Sequence, residues 1–340
     1  MILADVTLYE QWWVQIIKAL VLFVVALQIL PALIVIERKL LGRFQMRYGP
    51  NRVGPFGSMQ PLAEILKFAT KQDSRPRTAI PWLYVLAPVI SILTAAAAFS
   101  LIPFGDTVDI FGTKTGLYGI DTAIGPLYLF AFGAVAFYGI MLGGWASGSK
   151  YSFLGAMRAA AQLISYEVAQ GLALVGVLMT AGTLSLTEIV EAQSGMWYIV
   201  PQFVGFVVFL TAGFAETARA PFDLPEGDAE IVGGYNTEYG GMRFGSFFMA
   251  EYINMIVISA IAVTVFLGGW HGPGPGWLDP IWVIAKMFLF LFLFVWVRAT
   301  LPRLRYDQLM SFGWKVLLPL ATVNALVTAV VVVEGWPWQW

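Results

Sequence analysis

The chain contains no cysteine and a single histidine, His271, among its 340 residues. Without thiols it has no disulfide, thiolate nucleophile, zinc–thiolate site or cysteine-ligated iron–sulfur cluster. One histidine alone makes neither a haem site nor a multi-histidine metal site. Charge is scarce too. Asp, Glu, Lys and Arg make up 12% of residues, about half the share of an ordinary soluble domain, and sum to a net −1. That balance lacks the basic footprint of a nucleic-acid-binding protein. With 59% apolar residues and a mean hydropathy of +0.74, it also excludes a water-soluble enzyme of this length, because too few charges remain to cover the exterior. Long apolar runs are what the chain has in abundance, and they call for lipid as solvent. Any metal, flavin or iron–sulfur carrier it works with is expected on other chains.

A helix needs ~20 apolar residues to cross a ~30 Å hydrocarbon core. Eight segments qualify: 13–36, 82–102, 127–145, 159–181, 200–218, 247–270, 281–299 and 314–333. None alternates as a transmembrane strand does. The expected fold is therefore all-α, a polytopic membrane protein with eight transmembrane helices in one membrane domain over residues 1–340. The first run is too long for a cleaved signal peptide, lacks a basic start and ends in Glu37-Arg38-Lys39, so it reads as a retained span. All but Lys18, Lys114 and Lys286 of the 20 lysines and arginines fall in the connections on one side. The positive-inside rule makes that side cytoplasmic and puts both termini outside. The outer connections read as short and plain, and His271, in HGPGPGW, as a turn residue. Tryptophans at span ends, such as Trp82, Trp270 and Trp314, form an interfacial belt.

The inner connections carry the unusual chemistry, over residues 37–81 and 216–246. In the first, the Gly/Pro-rich cluster RYGPNRVGPFG precedes QPLAEILKF. Pro61 opens a short helix there, and Leu62, Ile65, Leu66 and Phe68 give it an apolar stripe, the pattern of a helix lying on the membrane surface. An anchor for anionic lipid explains the basic residues but not so many fixed turns. The later loop carries Glu216, Asp223, Glu226, Asp228, Glu230, Glu238 and Glu251 against Arg219 and Arg243. These acids alternate with Pro221, Phe222, Leu224, Ile231, Tyr235 and Tyr239, which a solvated acidic tail would not carry. A partly buried cluster follows from that mixture. Crowded carboxylates in a low dielectric cannot all ionise, so such a cluster stores and passes protons and responds to nearby charge. The spacing is not that of an EF-hand.

Glu167 lies inside the fourth span, where a charge costs about 2.5–3.5 kcal/mol and a short side chain cannot reach the surface, so it faces the bundle interior. Lys18 and Lys286 also lie inside spans. Snorkelling and a functional role fit them equally.

The motifs ERKLLGRFQMRYGPNRVGPFG, QPLAEILKF, SYEV, FAETARAPFDLPEGDAEIVGGYNTEY, FFMAEY and RATLPRLRYDQLM follow one another along the chain. In that order they resemble the family of membrane-arm subunits, bacterial and mitochondrial, that anchor the quinone site of respiratory complex I (NADH:quinone oxidoreductase). The resemblance implies eight spans and a quinone chamber entered from the bilayer, with Glu37, Arg38, Glu64, Phe248, Arg298 and Arg305 along it. It implies that Glu167, Glu216, Glu226, Asp228, Glu230, Glu238 and Glu251 form an acidic proton link toward pumping subunits. Quinone is then substrate, ubiquinone or menaquinone, and no metal, flavin or iron–sulfur centre sits on this chain. The implied partners are the peripheral-arm subunits bearing the quinone site and the iron–sulfur centres, the small membrane subunits, the antiporter-like subunits and membrane lipid, with no nucleic acid. Two other readings stay open: the related anchor of a membrane-bound hydrogenase or formate hydrogenlyase, and a stand-alone cation/proton antiporter. The antiporter reading calls for two related halves with broken helices, and no internal repeat is seen.

Overall fold

A computed structural model describes residues 12–110, 113–224 and 232–335. Eleven helices and one hairpin follow in order within these residues: α1 (Trp12–Phe44), α2 (Gln60–Thr70), α3 (Pro81–Phe99), β1 (Pro103–Ile110), β2 (Thr113–Tyr118), α4 (Gly125–Ala146), α5 (Lys150–Ala181), α6 (Leu186–Glu191), α7 (Phe203–Glu216), α8 (Gly241–Phe266), α9 (Asp279–Thr300), α10 (Tyr306–Phe312) and α11 (Leu318–Val333). A single π-helical turn over Gly313–Leu317 joins α10 to α11. Seven of these stretches are long and apolar enough to cross a membrane: α1, α3, α4, α5, α8, α9 and the continuous α10–α11 rod. That is the architecture of a polytopic membrane protein.

The bundle is built around α8. From Tyr252 to Phe266 it is buried at every position but Asn254, as befits a helix apolar on all sides. α3 packs on both α4 and α8, while α5 packs on α4, α7 and α11. The apolar faces of α1, α4, α9 and α11 remain open at the periphery, with Leu20, Leu127, Leu289 and Leu326 all more than half exposed. For a protein in water that would be untenable; in hydrocarbon it costs nothing.

Three features depart from the sequence expectation. The chain is not all-α: β1 and β2 pair antiparallel between α3 and α4, with an irregularity between Pro103 and Thr107. Thr, Val, Ile and Tyr favour strand in a stretch that reads as plain loop by its place between spans. α1 does not stop at Ile36 but runs on through Phe44, so Glu37, Arg38, Lys39 and Arg43 ride on a helix rather than in a loop. Leu40 and Leu41 between the charges supply helix formers that carry it on. Finally, α7 has 14 residues, about 21 Å of rise, which falls short of the hydrocarbon thickness. Its flanks, Tyr198–Gln202 and Thr217–Ala218, leave the helical path while remaining apolar.

Candidate functional site

The site starts where α7 ends. Ala218 adopts a left-handed φ of 49°, which turns the chain sharply under α5. Gln162 of α5 holds the turn, its Nε2 donating to Ala215 O at 2.6 Å and to Phe222 O at 2.7 Å. Leu304 N donates to Pro221 O at 3.0 Å, so the segment after α9 closes over the turn from the other side. Pinned in this way, the loop delivers Arg219 into the protein at 5% exposure.

Arg219 joins two carboxylates from different helices. Its Nη1 lies 3.1 Å from Glu37 Oε1 on α1, and its Nε lies 2.6 Å from Glu251 Oε1 on α8. The guanidinium also lies 4.3 Å over the Tyr252 ring. Arg298 of α9 pairs with the same Glu37 oxygen. Two cations and two anions therefore sum to zero in a place where an unpaired ion would cost several kcal/mol. Burial disfavours the charge on Arg219, but Glu251 and Glu37 outweigh it and push its pKa up, so it stays a cation. Glu37 is 2% exposed, and its second oxygen, Oε2, is buried without a hydrogen-bond partner among the described residues.

From Glu251 two small cavities lead away along α8. The first, about 50 Å³, is bounded by Glu251, Glu216, Asn254, Gln162, Ser91 and Tyr235 among others. The second, about 60 Å³, is bounded by Glu216, Asn254, Glu167, Thr94 and Gly133 among others. Both exceed the ~10–15 Å³ that one water requires, and both offer it polar partners. Glu216 borders both; Glu251 borders only the first and Glu167 only the second. Glu216 Oε2 and Gln162 Oε1 are buried without a protein partner among the described residues, so each is an acceptor for such water.

A second cluster adjoins the first cavity. The Tyr84 hydroxyl donates to Glu238 O at 2.6 Å, its ring stacks on Tyr239 at 4.2 Å, and Arg243 lies 5.2 Å over it while pairing with Asp73 at 2.8 Å. Tyr239 meets Phe247, which borders the cavity. Burial and the neighbouring Tyr84 push the Tyr239 pKa up, so its phenol keeps its proton.

The residues assigned to a quinone chamber divide. Glu37 and Arg298 share one ion pair, and Phe248 reaches it through an edge contact with Tyr252 at 4.8 Å between ring centroids. Arg38 pairs with Glu64, which also accepts from Gln60 Nε2 at 3.2 Å, tying α2 to α1. Arg305 stands apart, paired with Asp307 at 2.8 Å in the open with 72% of its side chain exposed. Of the acidic residues, Glu167, Glu216 and Glu251 are brought together along the cavities, and Glu238 sits in the tyrosine cluster. Glu226, Asp228 and Glu230 lie outside the described residues. Among the described residues, no group of three His, Asp or Glu side chains is placed to hold a metal.

The roles of Arg219 and Asn254 are not marked in the sequence, though Arg219 lies within the motif FAETARAPFDLPEGDAEIVGGYNTEY. Arg219 reads there as one base in an acidic loop, and a lone asparagine in an apolar span belongs to no motif. Lys18 and Lys286, open between two roles by sequence, find local partners. Lys286 Nζ donates to the carbonyls of Leu267, Gly269 and His271 at 2.7–2.9 Å, capping the end of α8, and lies 4.6 Å over Trp197. Lys18 Nζ donates to Gly116 O of the hairpin at 3.2 Å. His271 remains a loop residue, its Nε2 2.9 Å from Val190 O.

At the C-terminal end of α1 an open groove of about 900 Å³ is lined by Lys39, Arg43, Arg47, Tyr48, Asn51 and Phe56, among others. Met46 and Phe56 both hold positive φ (53° and 54°), a conformation costing ~1–2 kcal/mol, and both project outward at 98% and 78% exposure.

The family model described as NADH dehydrogenase matches residues 17–329 of the chain. An H-type NADH-quinone oxidoreductase subunit of Geobacter metallireducens is 53% identical to it over 312 residues, covering 92% of this chain and 94% of that protein.

Proposed function

The chain belongs to the NADH dehydrogenase family, and from that membership we propose that it is the quinone-site-forming, proton-relaying membrane subunit of a proton-translocating NADH:quinone oxidoreductase. It links a peripheral electron-transfer arm to pumping subunits and carries no electron carrier of its own. It crosses the inner membrane eight times, with α7 and its apolar flanks as the fifth crossing, α2 lying flat on the inner face, and both termini outside. The exposed Met46, Tyr48 and Phe56 beside Arg43 and Arg47 form the face on which the peripheral arm docks.

The observation that carries this reading is Arg219, one buried cation shared by Glu37 and Glu251. Glu37, Arg38, Glu64, Phe248, Arg298 and Arg305 line the chamber in this scheme. Glu251, Glu216 and Glu167 form the relay, supplied by Glu226, Asp228, Glu230 and Glu238. Reduction of quinone to quinol consumes two electrons and two protons, and so changes charge beside Glu37 and Arg298. If Arg298 is drawn toward the substrate, Glu37 loses a partner and takes a larger share of Arg219. Glu251 is then less compensated, its affinity for a proton rises, and it draws one from the loop. When Arg219 returns, Glu251 releases that proton through the first cavity to Glu216 and on to Glu167.

Glu216→Gln in the assembled enzyme tests the relay. Quinone reduction and proton pumping in inverted membrane vesicles both fall by about 10²-fold, the loss expected of a proton-transfer group. NADH oxidation by an artificial acceptor that bypasses quinone stays intact. Unchanged reduction and pumping would overturn the assignment.

A further inference from the structure

Glu167 and Glu216 both border the second cavity, so water in it is placed to carry a proton from one to the other. α4 faces the gap with a residue that has no side chain. A methyl built on Gly133 would meet Glu167 Oε1 at 3.7 Å and Glu216 Oε1 at 3.8 Å. One small group at this spot therefore touches both carboxylates, and Gly133 borders the second cavity there. The backbone of Gly133 does not require glycine, since its φ lies outside the left-handed region. What its missing side chain provides is space between two acids.

The step before this one has its own constraint. The two cavities share five bordering residues: Ala136, Ile140, Leu163, Glu216 and Asn254. Three are apolar, so water at the junction finds only Glu216 and Asn254 to bond. Ser91 and Thr94, farther along the walls, donate their hydroxyls to carbonyls of their own helix, Ala87 O for Ser91 and Ile90 O and Ser91 O for Thr94. Asn254 is also the one position from Tyr252 to Phe266 of α8 that is not fully buried against protein. A neutral amide there offers both donor and acceptor without adding a charge to the network.

We propose that Gly133 and Asn254 are positioning residues of the relay: Gly133 keeps a water-sized gap open between Glu216 and Glu167, and Asn254 holds the water that joins the two cavities. The inference rests on the relay reading and goes beyond it by assigning the transfer to water at a defined place, outside the acidic motifs.

The test compares apolar with polar substitutions at each position, in inverted vesicles carrying the assembled oxidoreductase. Gly133→Ala is accommodated, because 3.7 and 3.8 Å are ordinary contact distances, but it fills the gap with a methyl. Quinone reduction and pumping fall roughly tenfold, while NADH oxidation by an artificial acceptor is unchanged. Gly133→Ser adds similar bulk with a hydroxyl that donates and accepts, and it recovers most of the loss. Asn254→Leu lowers both rates and Asn254→Thr restores them in part. If Gly133→Ala keeps full rate, or if Ala and Ser lose equally, the gap does not act through water and the proposal is overturned. Should Asn254→Leu fail to assemble, the Ala/Ser pair at Gly133 decides alone. Glu216→Gln and Glu167→Gln run alongside. Loss in these with none in Gly133→Ala overturns this inference only, whereas full activity in both removes the relay on which it rests.

Discussion

Arg219 is where one side chain matters most. Arginine presents several donors in a fixed plane, so it meets Glu37 through Nη1 and Glu251 through Nε at once while its face lies on Tyr252. Lysine has one point of charge and reaches one acid at a time. Arg219→Lys therefore assembles but reduces quinone several-fold more slowly, read by vesicle rates against the artificial-acceptor rate. Arg219→Met leaves two buried carboxylates short of a partner and costs about 3–5 kcal/mol. It is seen as loss of assembled enzyme, and adding Glu251→Gln recovers part of it. Lys286 gives the opposite profile. Its three bonds go to backbone carbonyls at the far end of α8 from Glu251. Lys286→Met lowers stability by ~1–3 kcal/mol in thermal inactivation and leaves protons pumped per quinone reduced unchanged. Depth in an apolar run marks Glu167 in the sequence, but a residue such as Arg219 takes its meaning from partners 182 and 32 positions away, which no local pattern records.

Among the elements, the turn after α7 positions the whole site, and Gln162 secures it. Gln162→Leu removes the donor to Ala215 O and Phe222 O, which lie too deep for bulk water to replace it. The expected cost is ~1–3 kcal/mol. Assembled enzyme then loses thermal stability, and its quinone reductase activity falls with it, because Arg219 is placed by the same turn. Apolar runs reveal the helices well and their ends poorly. α1 and α5 outrun their expected limits because charged helix formers extend a helix beyond lipid as readily as apolar ones do inside it. α7 stops early because the turn behind Glu216 finds tertiary partners, Gln162 and Leu304 N, that compete with another helical turn. The hairpin stays hidden from such a reading, since two short strands paired only with each other carry a weak signal.

For the molecule in its membrane, the proposed eight crossings make a direct prediction. The chain has no native cysteine, so single substitutions report their side with a membrane-impermeant thiol reagent without background. Ser194→Cys and Trp277→Cys label from the periplasmic side, in cells with a permeabilised outer membrane. Lys71→Cys and Met242→Cys label only in inverted vesicles. Ser194 and Met242 flank α7, so labelling of both from one side would remove the fifth crossing. The same picture explains why the exterior is apolar while the interior holds ions: lipid accepts the first without cost, and only a pre-arranged set of partners makes the second tolerable.

The solvent, the set of apolar helices, the bias of basic residues and the family are all written along the chain, because hydropathy and motif order are local properties. Folding alone settles which acids meet, that Arg219 joins the helix bearing Glu37 to the helix bearing Glu251, and that Glu216 borders both cavities on the way to Glu167. Those relations are set by how α1, α4, α5, α7, α8 and α9 pack, and packing brings together side chains whose distance along the chain carries no trace of their distance in space.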